Sequence, residues 1–293
     1  MSSTAGSEVR RKKSTTVRLA SAHVALLRAY FGALAGVAPR AAERQAAFLF
    51  CLPRRLKHHD VPRVPDEARA RVVHMGRKRL ATWTWGTGPR VLLAHGWEGT
   101  ARDMVPIATA LAERGRSVTV FDMPAHGSSD GRTTTLPEMA RALAAVAAAV
   151  GPPEAVVGHS LGAAAGVLAL RDGLGASHAA LLAPVAEPWL FVRRLAELLA
   201  FSEERCAGLV ERISERAGIT LDSVDGVTAA RSLGARALIV HDPADRQVPF
   251  AHGESLASAW PGATLYPLEG VGHRRPLVDE RAVRLVAEHV SMT

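Results

Sequence analysis

Val156-Val157-Gly158-His159-Ser160-Leu161-Gly162 is a short β-branched run that breaks at a glycine and resumes at once as the alanine-rich stretch beginning at Ala163. Its pattern is that of a strand turning directly into a helix, with a serine at the turn between two glycines. In so tight a turn the serine takes a strained backbone conformation. Gly158 and Gly162 then leave room where any Cβ would collide with the neighbouring strand or helix. The hydroxyl is held proud of the sheet, and the new helix directs its free N–H groups and positive dipole end towards it.

On its own, G-x-S-x-G reads equally well as a helix start capped by Ser160. The catalytic reading needs a strand before it, a helix after it, and then an acid and a histidine in that order. The chain has the candidates for each. Val240-His241-Asp242-Pro243-Ala244-Asp245-Arg246-Gln247-Val248-Pro249 follows an apolar strand pattern, and Gly270-Val271-Gly272-His273 follows the last one. Upstream, the apolar run Arg90 to Ala94 ends in His95-Gly96-Trp97-Glu98-Gly99. With these motifs in place, the chain from about Arg71 to its C-terminus resembles enzymes of the α/β-hydrolase fold. The resemblance implies an α/β architecture, a mostly parallel doubly wound sheet, here with a helical insertion and a helical N-terminal extension.

The alternation of the remaining chain agrees. A hairpin is predicted from Arg71 to Met75 and Lys78 to Trp85 around Gly76, then a helix reaching about Arg114. Strands at Ser117–Phe121, Ala155–Gly158 and Ala179–Ala183 are separated by helices at Leu136–Val150 and Ser160–Arg171. Residues 184–233 interrupt this rhythm with mostly helical sequence, at the place where many relatives of the fold insert a cap. The sheet resumes at Ala237–Val240, followed by a helix at Phe250–Ala259, a strand at Ala263–Leu268 and a last helix at Pro276–Val290. Strands alternating with helices at this spacing point to a parallel sheet.

Three stretches are expected along the chain: a basic tail at 1–16 without structure, a helical extension and linker at 17–69, and the main domain at 70–293. Helical spacing runs from Val17 to Ala38 and again from Ala41 to Leu52, with Pro39 between them. The first helix is expected to pack on the main domain, with a surface anchor or lid-like support as the alternative. A secretory leader is disfavoured by Arg28 within the apolar stretch and by the long basic start, so a cytoplasmic location is expected. No run is long and apolar enough to span a bilayer.

At 293 residues the chain can bury roughly three quarters of its unfolded surface. Its 48% hydrophobic and 22% charged residues suit a globular protein and not a disordered one. The net charge of +8 is uneven: residues 1–90 hold 18 Lys/Arg against 5 Asp/Glu, and the remainder 18 against 23. That excess suggests peripheral contact of the N-terminal segment with an anionic membrane; no zinc-finger or RNA-binding signature accompanies it, so no nucleic-acid partner is expected. Cys51 and Cys206 are far apart and predict reduced thiols. His58-His59-Asp60 lacks a second ligand group, and no metal site is expected.

A serine hydroxyl is a poor nucleophile until a base within hydrogen-bond reach takes its proton, and that base needs an orienting acid. The resemblance implies Ser160, Asp245 and His273 for these roles, in the chain order of the fold. Asp245 matches by its offset from Val248-Pro249, whereas Asp242 stands where the family usually has glycine and is the competing acid. The resemblance further implies main-chain oxyanion donors at Leu161 and Trp97. Asp122, His95 and His126 are read as loop-shaping groups. Trp189 and Phe191, in the insertion, are the candidate substrate-binding residues, lining an acyl pocket or else seating the insertion. The implied activity is cofactor-free hydrolysis of a small acyl substrate, an ester first, through an acyl-enzyme. A peptidase or amidase, a thioesterase, a cofactor-free haloperoxidase, or a non-catalytic binding module on the same scaffold stand as alternatives; dehalogenase and epoxide hydrolase readings are disfavoured by a serine, not an aspartate, at the turn.

Overall fold

The computed structural model describes residues 22–55 and 62–291. The expected basic tail and His58-His59-Asp60 lie outside the described residues. The chain divides into two compact units, the larger formed by Cys51–Pro188 with Ala217–Thr293 and the smaller by Met1–Phe50 with Trp189–Arg216.

The larger unit is built on an eight-stranded sheet in the order β1-β2-β4-β3-β5-β6-β7-β8. The strands are β1 (Arg69–Met75), β2 (Lys78–Trp85), β3 (Arg90–Ala94), β4 (Ser117–Phe121), β5 (Ala155–His159), β6 (His178–Leu182), β7 (Arg236–His241) and β8 (Thr264–Pro267). β1 and β2 pair antiparallel with each other, and β2 is antiparallel to β4; every other pairing is parallel. The central strands are buried on both faces, which is why they read as continuous apolar runs with no alternation. Helices α3 (Val105–Ala112) and α10 (Glu280–Ser291) pack together, and α4 (Leu136–Val150), α5 (Leu161–Arg171), α8 (Gly226–Ala230) and α9 (Ala251–Ala259) form a second contiguous set. Val91, Leu93, Val118, Val120, Val157, Leu182 and Val240 share one core with Ile107, Leu111, Val286 and Val290 of the α3 and α10 pair.

This order contains a switch point. From β3 the chain steps to β4 on one side and then crosses to β5 on the other. In doubly wound sheets the crevice beyond the carboxyl ends of two such strands is where ligands bind. Here those ends carry Gly96 and Ser160.

The smaller unit is helical. α1 (residues 22–37) and α2 (Pro39–Phe50) are separated at Ala38, with Pro39 at the start of α2, where its missing N–H costs nothing. α6 (Trp189–Leu198) and α7 (Glu203–Ala217) come from the insertion. Phe31 and Ala35 of α1, Ala42, Ala46 and Ala47 of α2, Val192 and Ala196 of α6, and Leu209 and Ile213 of α7 form a single core. Segments more than 140 residues apart in sequence thus bury each other's apolar stripes. Arg28 reaches the carbonyl of Leu198 at 2.8 Å, so the charge interrupting the apolar run of α1 terminates α6.

Several boundaries differ from the sequence reading. The helix expected from Ala41 runs from Pro39 to Phe50. The helix expected after β3 is a short 3-10 turn, Ala101–Met104, followed by α3 ending at Ala112. The last helix was expected from Pro276, but Arg275–Leu277 is a separate 3-10 turn and α10 begins at Glu280. The Asp279 carboxylate accepts the Arg281 N–H at 3.0 Å there, starting a new helix as a side-chain cap does.

Candidate active site

β5 ends at His159 and α5 begins at Leu161, leaving Ser160 alone at the turn with φ 53° and ψ −119°. A non-glycine residue held there carries strain of order 1–3 kcal/mol, which the surroundings must enforce. They do so by close approach on both sides. A Cβ on Gly158 would lie 2.5 Å from the Ala163 Cα, and one on Gly162 would lie 2.3 Å from the His95 carbonyl oxygen. The Ser160 N–H donates to Leu182 O at 2.9 Å, tying the turn to β6.

Three of the residues singled out in sequence come together at Ser160. Its Oγ lies 3.0 Å from His273 Nε2, and His273 Nδ1 lies 2.7 Å from Asp245 Oδ2. Since a carboxylate only accepts, Nδ1 carries the proton and Nε2 is left to accept from the hydroxyl. Asp245 follows β7 and His273 follows β8, so both loops reach Ser160 from the carboxyl edge of the sheet. All three are largely shielded: Ser160 is 6% and Asp245 8% exposed. Such a row can move a proton from hydroxyl to imidazole while the carboxylate balances the imidazolium formed.

Asp245 is well supplied with donors. Its Oδ1 accepts the main-chain N–H groups of Gln247 at 2.7 Å and Val248 at 3.1 Å. Burial by itself would raise its pKa, but hydrogen bonds from His241, His273 and Gln247 reverse this and hold the carboxyl well below the usual range. It is ionised throughout the physiological range.

Asp242 does something else. Its Oδ1 accepts the Ala244 N–H at 2.8 Å, and its Oδ2 accepts the N–H of Gly272. It makes no hydrogen bond to His273, and instead pins the main chain one residue before it. Burial pushes its pKa up, but main-chain donors at Ala244, Gly272 and Val271 outweigh that and lower it.

Leu161 opens α5, so its N–H lacks an intrahelical acceptor by the geometry of a first turn. Trp97 follows Gly96, whose main chain lies against the serine: a Cβ on Gly96 would sit 3.1 Å from the Ser160 Cβ. Of the two main-chain positions singled out in sequence, Leu161 thus follows the serine directly and Trp97 follows a glycine packed against it. The Trp97 ring stacks edge-on with His126 at 5.3 Å. Trp189 and Phe191 belong to the helical unit, where Trp189 packs against its core and Arg194 stands 5.7 Å over the Phe191 ring.

The loop-shaping groups are buried and hydrogen-bonded to the main chain. His95 Nδ1 donates to the Gly96 carbonyl at 2.7 Å and its Nε2 accepts the Met123 N–H at 2.9 Å. His126 Nδ1 donates to Pro124 O at 3.0 Å and its Nε2 accepts the Glu98 N–H at 3.1 Å. Burial, then the proximity of His95, takes the His126 pKa down to about 3. Asp122 accepts the N–H groups of Ala101 and Ser128, at 2.7 and 2.8 Å, while burial raises its pKa.

Two histidines beside these groups have no role assigned from sequence. His159, inside the serine motif, donates from Nε2 to the main-chain carbonyl of His273 at 2.9 Å. Burial, then the nearby His273, lowers its pKa to about 3. His241, at the end of β7, stands beside Asp245. Among the described residues no group of three or more His, Cys, Asp or Glu could hold a metal ion, and no helix is long and apolar enough to cross a membrane.

The model of the alpha/beta hydrolase family matches residues 91–288, the stretch holding every one of these groups. The chain belongs to the alpha/beta hydrolase family. Among solved structures it is similar to an esterase of Pyrococcus furiosus, at 18% identity and TM-score 0.64, over 82% of this chain and 96% of that one. It is also similar to a protein of Butyrivibrio proteoclasticus with ferulic acid bound, at 20% identity and TM-score 0.61, over 75% and 96%. A third is an alpha/beta hydrolase fold protein of Burkholderia ambifaria, at 22% identity and TM-score 0.60, over 79% and 98%. No curated protein matches the sequence. At these identities the family member shares a fold with its structural relatives, and its chemistry has to be argued from its own residues.

Proposed function

We propose that this family member is a serine hydrolase that cleaves carboxylic esters of small or medium acyl substrates through an acyl-enzyme on Ser160. The observation carrying this reading is the continuous row Ser160 Oγ, His273, Asp245 at 3.0 and 2.7 Å, on a strained turn at the switch point of the sheet. His273 takes the Ser160 proton as the hydroxyl oxygen adds to the ester carbonyl. The negative oxygen of the tetrahedral intermediate is stabilised by the main-chain N–H groups of Leu161 and Trp97. The proton on His273 Nε2 passes to the departing alkoxide, releasing the alcohol. A water molecule, deprotonated by the same His273, attacks the acyl-serine, and the second collapse returns the proton to Ser160 Oγ. Each step draws only on these side chains, the main chain and water.

The choice of ester over amide is supported by the esterases of Pyrococcus furiosus and Exiguobacterium antarcticum among its structural relatives. The test is labelling with a fluorophosphonate probe, followed by a panel of p-nitrophenyl esters, thioesters and peptide anilides. Stoichiometric labelling at Ser160 with turnover of esters is expected. Turnover of anilides in preference to esters would make the protein an amidase. A chain that neither labels nor turns over any panel member would be a binding module on a hydrolase scaffold.

A further inference from the structure

The acid of the site has two imidazoles on it. His273 Nδ1 lies 2.7 Å from Asp245 Oδ2, and His241 Nε2 lies 3.4 Å from the same oxygen. His241 is fully buried, and its Nε2 also reaches the Val248 carbonyl at 3.1 Å. A carbonyl only accepts, so Nε2 bears the proton and donates its N–H to Val248 O, with Asp245 Oδ2 standing 3.4 Å from the same nitrogen. That fixes the tautomer and leaves Nδ1 as a bare lone pair.

Nothing receives a proton at Nδ1. That atom is buried and has no hydrogen-bond partner among the described residues. It faces the main chain of α9 at Gly253, where even a Cβ would lie 2.8 Å away. The Phe250 ring covers His241 at 5.5 Å. Among the described residues, Asp245 and Asp242 act on each other within the same loop, His159 and Arg274 lie beside His273, and Arg281 of α10 acts on Asp242.

We infer that His241 is a positioning residue of this site: its Nε2–H, anchored on Val248 O and set against Asp245 Oδ2, keeps that oxygen beneath His273 and tempers the basicity of His273. Because Oδ1 is already occupied by Gln247 and Val248, the buried ring of His241 beside Oδ2 opposes rotation of the carboxylate away from His273. Its dipole draws negative charge off Asp245. The imidazolium that forms when His273 takes the serine proton is then less stabilised than it would be by a bare carboxylate, so His273 returns the proton to the leaving group more readily. This role rests on reading Ser160 as the nucleophile.

The test measures the rate of fluorophosphonate labelling of Ser160 from pH 4.5 to 9 in the wild type, His241→Leu and His241→Gln, alongside 15N-histidine NMR of the wild type. Leucine removes the donor at similar volume; glutamine returns an N–H at a similar reach. For His241→Leu the plateau labelling rate should fall roughly three- to tenfold, the effect of one net hydrogen bond. The midpoint of its acid limb should move up by about half a pH unit, and His241→Gln should bring both back towards wild type. In the wild-type spectrum the 15N shifts of the neutral form of His241 should be those of the Nε2–H tautomer. An acid limb that stays put in His241→Leu, or an Nδ1–H tautomer at His241, overturns the inference. If the wild type is not labelled at any pH, it is the nucleophile reading that fails, and the NMR measurement still decides the tautomer of His241 whether or not the variants fold.

Discussion

The Nε2–H of His159 donates to the main-chain carbonyl of His273 at 2.9 Å, so the residue before Ser160 grips the residue that faces Ser160 from another loop. The two rings also pack at 4.9 Å between centroids. One side chain thereby couples the turn after β5 to the loop after β8. His159→Leu should leave the His273 carbonyl without its donor and let the loop drift, a cost of about 1–3 kcal/mol in stability. Turnover of a p-nitrophenyl ester should fall by roughly ten- to a hundredfold, because angstrom-scale misplacement of a proton acceptor is felt strongly. Melting curves and kcat for the variant check it; an unchanged kcat would mean that Asp242 alone fixes the loop.

The buried histidines predict a pH dependence of stability with a definite sign. His126 and His159 have folded pKa values near 3, below the ordinary value of about 6.5. The unfolded chain therefore binds protons that the folded chain refuses. Their contribution is complete above about pH 6.5 and is lost as the pH falls towards 3, at about 1.4 kcal/mol per pH unit for each group. His126 has a structural reason for its neutrality, since its Nε2 accepts the Glu98 N–H and a proton there would set two donors face to face. His126→Leu should melt lower than wild type at pH 7, yet lose less between pH 6.5 and 4.5. Parallel melting profiles for the two proteins over that window would contradict this.

Much of this architecture was legible because it is written locally. Gly158, Ser160 and Gly162 signal a strand-to-helix turn by themselves, and the apolar runs at Arg90–Ala94, Ser117–Phe121 and Ala155 onwards carry the parallel sheet. Part of what escaped was non-local, as His159 meets His273 across 114 positions. His241 is close in sequence to Asp245 and Val248, but it meets them through a loop whose path only the fold defines. Neither contact has a period or a spacing that a sequence displays. The amphipathic pattern of α1 likewise shows that an apolar stripe must be buried but not against what; its partners are α2 and the inserted α6 and α7.

Ser160 separates reactivity from stability. Ser160→Ala removes the attacking oxygen and keeps the Cβ, so kcat should fall by a factor on the order of a million with little change in melting temperature. Ser160→Gly should be as inactive and also more heat-stable than the alanine variant, because φ 53° and ψ −119° suit glycine and strain any other residue. Calorimetry on the two inactive variants checks the order. If they melt together, the turn stores no strain at this position.

The two aspartates after β7 should part company when each is neutralised. Asp245 holds His273 Nδ1–H and so keeps Nε2 free for the serine proton; an asparagine can present an N–H there, favouring the wrong tautomer. Asp245→Asn is therefore expected to lower kcat by roughly three to four powers of ten. Asp242 touches main-chain donors only, at Ala244 and Gly272. Asparagine preserves one acceptor oxygen and turns an amide N–H towards the other donor, so Asp242→Asn should loosen the 270–273 loop and lower the melting temperature, with a loss in kcat of about tenfold or less. Measuring kcat and melting temperature for both variants decides the assignment. A large loss of kcat at unchanged stability in Asp242→Asn, with Asp245→Asn left active, would transfer the acid role to Asp242.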